Sequence, residues 1–173
     1  MSLSLVQKGR LGETAVILEL QKRGYDVVNL NDGLSNFKNA DLFCSSPSSG
    51  KHTLIQVKTG FTANILTGLV STNKGEIVGL EEKITCPWVF VCVKPDFSFQ
   101  FYVLTRDEVI DLIKISNDWY TKCRVTELKD NVHVGIDVKW LEGLDGKSSK
   151  VHPNGFTNPL SSTSHNKWEK LGI

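Results

Sequence analysis

Six consecutive apolar residues, Trp88–Val93 (WVFVCV), are the feature of this sequence that most restricts its fold. A strand with one face in water alternates apolar and polar residues, so an unbroken run of this length predicts a strand buried on both faces. Such a strand needs packed layers on either side. A turn containing Pro95 and Asp96 follows, and Phe99–Leu104 suits a second strand, so the two segments are predicted to form a hairpin.

Two segments have the apolar spacing of helices. Gln7–Arg23 is apolar over a wide arc and is followed by Gly24, a residue that favours a helix C-terminus. This helix is therefore expected to pack against a sheet. Thr105–Ile115 begins with Thr105 and has Glu108 three positions later, which is the arrangement of a capping box.

Three short strands with turn residues between them are predicted after the first helix: Tyr25–Leu30, Asn39–Cys44 and His52–Lys58. Their tight connections favour an antiparallel meander. Phe61–Cys86 is less regular because of its glycines, with one short helix expected near Glu76–Ile84. Val132–Leu141 alternates and predicts a further strand. The predicted fold class is therefore α/β, with a central mixed β-sheet flanked by helices.

The chain has 173 residues, of which 40% are hydrophobic, enough for one domain with a packed core. Residues 1–142 are assigned to this domain. Residues 143–173 begin with a stretch rich in Ser, Asn, Gly, Lys and Pro, which is typical of a loop. They end in Trp168, Leu171 and Ile173, an apolar anchor that is expected to dock the tail onto the same domain.

The composition says more about the cellular compartment of the protein than about its binding partner. The net charge of +1 neither demands nor excludes a polyanionic partner, because binding depends on where the basic groups lie. The four cysteines form no CxxC pair, so a reducing compartment is expected. We find no signal peptide and no segment near the roughly 20 apolar residues that cross a bilayer. These features predict a soluble cytoplasmic protein with no membrane partner.

Three segments are predicted to bring acidic, amide and basic side chains together: Glu13 in the first helix, Asp41 in the second strand, and Gln56-Val57-Lys58 in the third strand. Residues two apart in a strand share a face, so Gln56 and Lys58 lie together and Val57 points into the opposite layer. Antiparallel pairing would place Asp41 beside them, with Glu13 over the same edge. Taken singly, Glu13 is equally well explained as a surface glutamate, Asp41 as an aspartate at a strand edge, and Lys58 as a solvated lysine at a strand end.

This grouping has a use in phosphodiester hydrolysis, which needs a positioned water, neutralisation of phosphate charge and in-line geometry. Asp41 is a hard oxygen ligand suited to Mg²⁺, and Glu13 or the carbonyl oxygen of Gln56 is the second ligand. Lys58 is a compact charge that can orient the water and stabilise developing negative charge.

The helix segment GRLGETAVILELQKRGYDVV is followed by the strand segments NADLFC and LIQVKTG. Over residues 8–115 these segments and their order resemble the motifs of the PD-(D/E)XK nuclease superfamily. Gln56 is similar to the QxK variant of Mrr-type restriction endonucleases, and the Gly-Glu pair resembles archaeal Holliday-junction resolvases. The resemblance implies a restriction-endonuclease-like core and a DNA endonuclease that uses Mg²⁺ or Mn²⁺. It also implies a metal held by Asp41, Glu13 and Gln56, a catalytic Lys58, and a homodimer where two strands are cut.

Two departures from the superfamily pattern keep a second function open. Asp41 follows Asn39 and Ala40 without the Pro-Asp pair, and the neutral Gln56 binds a divalent cation more weakly than glutamate would. The alternative is a catalytically inactive scaffold that serves as a protein-interaction module, such as an immunity or regulatory partner, or as a nucleic-acid-binding module. Four basic residues of the first helix either contact DNA phosphates or form an ordinary solvated face: Lys8, Arg10, Lys22 and Arg23.

Overall fold

The computed structural model describes residues 3–32, 39–122, 129–146 and 155–173. Cys123 and residues 147–154 of the predicted loop lie outside the described residues. The helices are α1 (Leu5–Lys22), α2 (Leu80–Lys83), α3 (Arg106–Lys122) and α4 (Val138–Leu141), with a 3-10 helix at Trp168–Leu171. The strands are β1 (Asp26–Asn29), β2 (Leu42–Ser45), β3 (His52–Gly60), β4 (Asn64–Ser71), β5 (Trp88–Val93), β6 (Phe99–Leu104) and β7 (Val132–Asp137). Within these ranges, no helix has the length and apolar character needed to cross a membrane.

The main sheet has five strands in the order β1-β2-β3-β5-β6. In this sheet β3 and β5 run parallel, while the other neighbouring strands are antiparallel, so the sheet is mixed. The β1–β3 meander and the β5–β6 hairpin are therefore confirmed. Strands β4 and β7 form a separate antiparallel pair.

The central strand β5 is buried along its whole length, as its sequence predicts. One set of its side chains packs in an apolar cluster with Ile110 and Ile113 of α3. The alternate set packs in a second cluster with Val16 and Leu20 of α1. Because a helix covers each face, the predicted class is confirmed: α/β, with a central mixed sheet flanked by helices.

Helix α3 begins with the predicted capping box. Thr105 Oγ1 accepts from the backbone N–H of Glu108 at 3.3 Å, and Glu108 Oε2 accepts from the backbone N–H of Thr105 at 2.9 Å. At the other end of the chain, Trp168 and Leu171 are buried in the cluster on the α1 side of the sheet. The guanidinium carbon of Arg23 lies 5.2 Å from the centre of the Trp168 ring.

Three local predictions need correction. The predicted strand at Val132–Leu141 ends at Asp137, whose side chain accepts from the backbone N–H of Lys139 at 3.0 Å and so caps α4. The helix expected near Glu76–Ile84 is limited to α2. Strand β4 was not predicted, because Gly68 interrupts it. That glycine has φ 81° and lies within an irregularity of the β4–β7 pairing, where glycine costs least.

Candidate active site

The candidate site lies where the β2–β3 ladder ends. The backbone N–H of Asp41, just before β2, donates to the carbonyl of Ile55 at 2.9 Å. Two residues earlier, Asn39 has φ 68°, a left-handed conformation in which the chain turns. The N–H of Val57 consequently has no backbone acceptor on this side of β3. It donates instead to Asp41 Oδ2 at 2.7 Å, which fixes the aspartate carboxylate at the open edge.

The Asp41 carboxylate is the centre of a hydrogen-bond network. Oδ2 also accepts from the side-chain amide of Gln56, and Oδ1 accepts from Nδ2 of Asn31 at 3.1 Å. An ionised carboxylate can only accept, so both amides present their N–H groups to it. The amide oxygen of Gln56 therefore faces away from Asp41 and would reach a shared cation only after the amide rotates.

Glu13 is brought to the site by close packing of α1 on β3. A Cβ atom at Gly12 would lie 1.8 Å from Thr59 Oγ1, so only glycine allows this approach. Glu13 is half-buried, and its Oε2 accepts from Nδ2 of Asn29 at 3.0 Å. Burial raises the pKa of Glu13 above 4.5. The Asn29 hydrogen bond opposes this change, and the negative charge of Asp41 adds to it. The two carboxylates are thus close enough to repel each other.

Lys58 is half-buried on the same strand, two residues from Gln56. Its ammonium nitrogen lies 5.1 Å from the centre of the Trp88 ring. Burial lowers the pKa of Lys58, and the nearby charge of Asp41 partly offsets this effect. Among the described residues, this ammonium has no hydrogen-bond or salt-bridge partner. Within the described ranges, its N–H donors are therefore not used by another side chain or by the backbone.

Asn29 and Asn31 are site residues that the sequence did not reveal. Asn29 donates to Glu13, and Asn31 donates to Asp41, so amide groups link both acidic side chains to the end of β1. In the sequence these asparagines are indistinguishable from ordinary turn residues. The signal that could have revealed them is their position at the end of β1, the strand that pairs with β2. That position becomes informative only when the strand pairing is known.

The donor set fits a small, hard divalent cation. Asp41 and Glu13 supply two carboxylates whose mutual repulsion a cation would relieve, and the Gln56 amide oxygen would be a neutral third donor after the amide rotates. Mg²⁺ commonly binds through one or two carboxylates and keeps several waters. In the part of the chain that the structure describes, no group of three or more His, Cys, Asp or Glu side chains could hold a metal. The site therefore depends on the amide as well as on its two acidic residues.

The structure places the four basic candidates of α1 at two separate ends of the helix. Lys8 and Lys22 are 14 positions apart in α1, which corresponds to about 20 Å along the axis. Lys8 lies over the Phe61 ring at 5.2 Å, and Arg23 forms a 2.8 Å salt bridge with Glu19. Arg10 is exposed near Lys8. These residues are not brought together in one patch.

Comparison with known proteins gives structural similarity only. The sequence matches no protein-family model and no curated protein. The fold is similar to that of a bacterial homing endonuclease, with 23% identity over 61% of this chain and 68% of that chain, and a TM-score of 0.39. It is also similar to a Holliday junction resolvase from the archaeal hyperthermophile Archaeoglobus fulgidus, with 14% identity over 87% of this chain and 91% of that chain, and a TM-score of 0.37. Similarities at this level assign no activity to this chain.

Proposed function

We propose that the protein is a metal-dependent DNA endonuclease that hydrolyses phosphodiester bonds by attack of an activated water. The proposal is carried by one observation: the carboxylates of Asp41 and Glu13 lie within electrostatic range of the Lys58 ammonium, which has no partner among the described residues. A lysine whose pKa is lowered by burial and whose ammonium has no hydrogen-bond partner in the described part of the chain is typical of a functional site.

Each residue has a distinct role in this proposal. Asp41, Glu13 and the amide oxygen of Gln56 would hold Mg²⁺ or Mn²⁺. When bound, the cation would stabilise charge on the phosphate and make water a better nucleophile. The Lys58 ammonium would donate to a phosphate oxygen as negative charge develops there. All four side chains are half-buried rather than sealed, so a polymer laid across the edge of β3 could reach them.

A plasmid-nicking assay with Mg²⁺ or Mn²⁺ tests the proposal. Asp41→Ala and Lys58→Ala should each reduce metal-dependent nicking by about 100-fold or more, the usual effect of removing a group that stabilises the transition state. Lys51→Ala is the matched control, because Lys51 is exposed just before the opposite end of β3. It should cut as wild type does. If wild type cuts no duplex, branched or single-stranded DNA with either metal, the proposal is wrong.

A catalytically inactive binding module is the second candidate, and one observation favours it. Three N–H groups, from Gln56, Val57 and Asn31, already satisfy the Asp41 carboxylate without any metal. A scaffold that has lost catalysis would keep such a network for stability. This function predicts that DNA or protein binding, measured by fluorescence anisotropy, is the same in EDTA and in Mn²⁺ and survives Lys58→Ala.

Cleavage of both strands of a duplex calls for two such sites, so the proposal extends to a homodimer on DNA. The described chain holds one grouping of Asp41, Glu13 and Lys58, which would serve one strand at a time. Light scattering with and without duplex DNA measures the assembly. A monomer under both conditions, together with nicked but never linear plasmid, would contradict the dimer while leaving the nuclease intact.

A further inference from the structure

Two asparagines at the end of β1, Asn29 and Asn31, form what we call the asparagine bridge. Asn29 Nδ2 donates to Glu13 Oε2 at 3.0 Å, and Asn31 Nδ2 donates to Asp41 Oδ1 at 3.1 Å. The two asparagines are joined to each other, since Asn29 Oδ1 accepts from the backbone N–H of Asn31 at 2.8 Å. The backbone of Leu30 between them donates to the Asp41 carbonyl at 2.9 Å. The bridge thus spans both acidic residues and is pinned to the chain that carries Asp41.

A turn alone does not require this bridge. An asparagine or aspartate in a turn needs only its side-chain oxygen to accept a backbone N–H two residues later, which Asn29 Oδ1 does here. The amide N–H groups of Asn29 and Asn31 are directed elsewhere, to the carboxylates of α1 and of the segment before β2. The Asn31 side chain donates to a carboxylate oxygen, Asp41 Oδ1, and not to a backbone carbonyl. Its side chain therefore serves the site rather than the turn.

The asparagine bridge can stabilise two carboxylates that lie close together. Glu13 and Asp41 are both acidic and half-buried, and each accepts a hydrogen bond from the bridge. Without donors between them, two such carboxylates would turn apart into water. Neutral amide donors stabilise both anions without adding charge of their own, so they leave the site's attraction for a cation in place.

We infer that Asn31, supported by Asn29, is a positioning residue that holds the Asp41 and Glu13 carboxylates in place for a divalent cation. This inference rests on the proposed function and deepens it, since it concerns the same metal centre. In this inference the Asn31 amide nitrogen stays on Asp41 Oδ1 and orients that carboxylate, whereas Gln56 is the amide that would rotate to offer its oxygen. Asn31 acts on the cation through the orientation of Asp41.

Mn²⁺ affinity of the full chain is the direct test, measured by the electron paramagnetic resonance signal of free Mn²⁺. Asn31→Ala should weaken Mn²⁺ binding by about 10- to 100-fold, the usual effect of losing a residue that orients a metal ligand. Asn31→Leu, which keeps the branched shape but has no donor, should weaken it equally. Urea unfolding in EDTA shows that each variant is folded.

Asn117→Ala is the matched control. The Asn117 side chain also donates one amide hydrogen bond, to the carbonyl of Gly75 at 2.6 Å, and it belongs to α3 away from the acidic pair. It should bind Mn²⁺ as wild type does. If Asn31→Ala and Asn31→Leu are both folded and bind Mn²⁺ within twofold of wild type, the positioning role is refuted.

Asp41→Asn separates this inference from the proposed function. Loss of Mn²⁺ binding in Asp41→Asn but not in the Asn31 variants would overturn the positioning role and leave the metal centre standing. A wild-type protein that binds no Mn²⁺ would overturn the metal centre and the positioning role together. If Asp41→Asn abolishes Mn²⁺ binding and both Asn31 variants weaken it, the result supports both the metal centre and the positioning role of Asn31.

Discussion

The packing of Gly12 against Thr59 makes a prediction that links the fold to the site. Gly12→Ala places a Cβ atom 1.8 Å from Thr59 Oγ1, 2.9 Å from Thr59 Cβ and 3.0 Å from Thr59 Cγ2. An ordinary contact is near 3.5 Å, so α1 must move outward by roughly 1.7 Å unless Thr59 changes rotamer. Glu13, the next residue, would move with the helix and away from Asp41.

The magnitude follows from comparison with a second glycine of α1. A Cβ atom at Gly9 would meet nothing within 4 Å, so Gly9→Ala should stabilise the helix by about 0.5–1 kcal/mol. Gly12→Ala gains the same helix propensity but overpacks the contact with Thr59, which typically costs about 1–3 kcal/mol. Because propensity cancels between the two variants, Gly12→Ala should be less stable than Gly9→Ala by about 1–3 kcal/mol.

Urea unfolding of the two variants measures this difference, and Mn²⁺ binding reports the displacement of Glu13. A displacement near 1 Å at a reacting site can reduce activity by about 100-fold, so Gly12→Ala should impair nicking far more than its stability loss explains. Thr59→Ala in the Gly12→Ala background should restore part of the stability. It removes Oγ1 and Cγ2 but leaves Cβ at 2.9 Å, and Thr59 Oγ1 has no hydrogen-bond partner to lose among the residues that the structure describes.

Equal stability of Gly12→Ala and Gly9→Ala would refute the packing argument. If Gly12→Ala is destabilised but binds Mn²⁺ normally, the idea that the position of α1 places Glu13 in the site is refuted. Failure of Thr59→Ala to restore any stability would show that the strain arises from another contact.

Three further predictions concern the same network and the tail. Gln56→Glu replaces a donor to Asp41 by a like charge, so it should lower the free energy of unfolding in EDTA by about 1.5–3 kcal/mol, and saturating Mn²⁺ should reduce that loss. An equal loss in both buffers contradicts a shared cation. The pKa of Glu13 is raised above 4.5 in the folded state, so its ionised form destabilises the fold at higher pH. Glu13→Gln should therefore raise the free energy of unfolding in EDTA at pH 7, and this gain should disappear below about pH 4.5. A gain that persists at pH 3.5 is incompatible with this reasoning. Trp168→Ala should lower the free energy of unfolding by about 3–5 kcal/mol in urea, because Trp168 is 4% exposed and fills the cluster on the α1 side. A loss below 1 kcal/mol would show that the tail docks weakly.

Local sequence signals were sufficient wherever an element's environment is uniform along its length. Trp88–Val93 is apolar at every position, so the sequence alone indicated burial on both faces. Thr105 and Glu108 form their capping box within four residues, so no distant partner decides it. The β2–β3 pairing followed from a short turn for the same reason, whereas residues 30–41 separate β1 from β2.

Elements whose partners are distant in sequence were harder to predict. Strand β4 is held by β7, more than 60 residues away, and Gly68 hides its periodicity. The alternating apolar pattern of Val132–Leu141 continues past Asp137, yet the Asp137 side chain caps a helix there. For β4 a distant strand decides the structure, whereas at Asp137 a local cap two residues long overrides the alternating pattern.

The sequence by itself determined that a fully buried strand is covered by helices, and it supplied Asp41, Gln56, Lys58 and Glu13 in an order suited to a metal site. The tertiary structure decided what those residues meet. The end of the β2–β3 ladder leaves the Val57 N–H to the Asp41 carboxylate. Asn31 reaches Asp41 between the β1 and β2 segments, and Asn29 reaches Glu13 between β1 and α1. Hydrogen bonds between side chains from separate segments depend on register and on the approach of α1 to β3, and neither leaves a periodic trace in the chain.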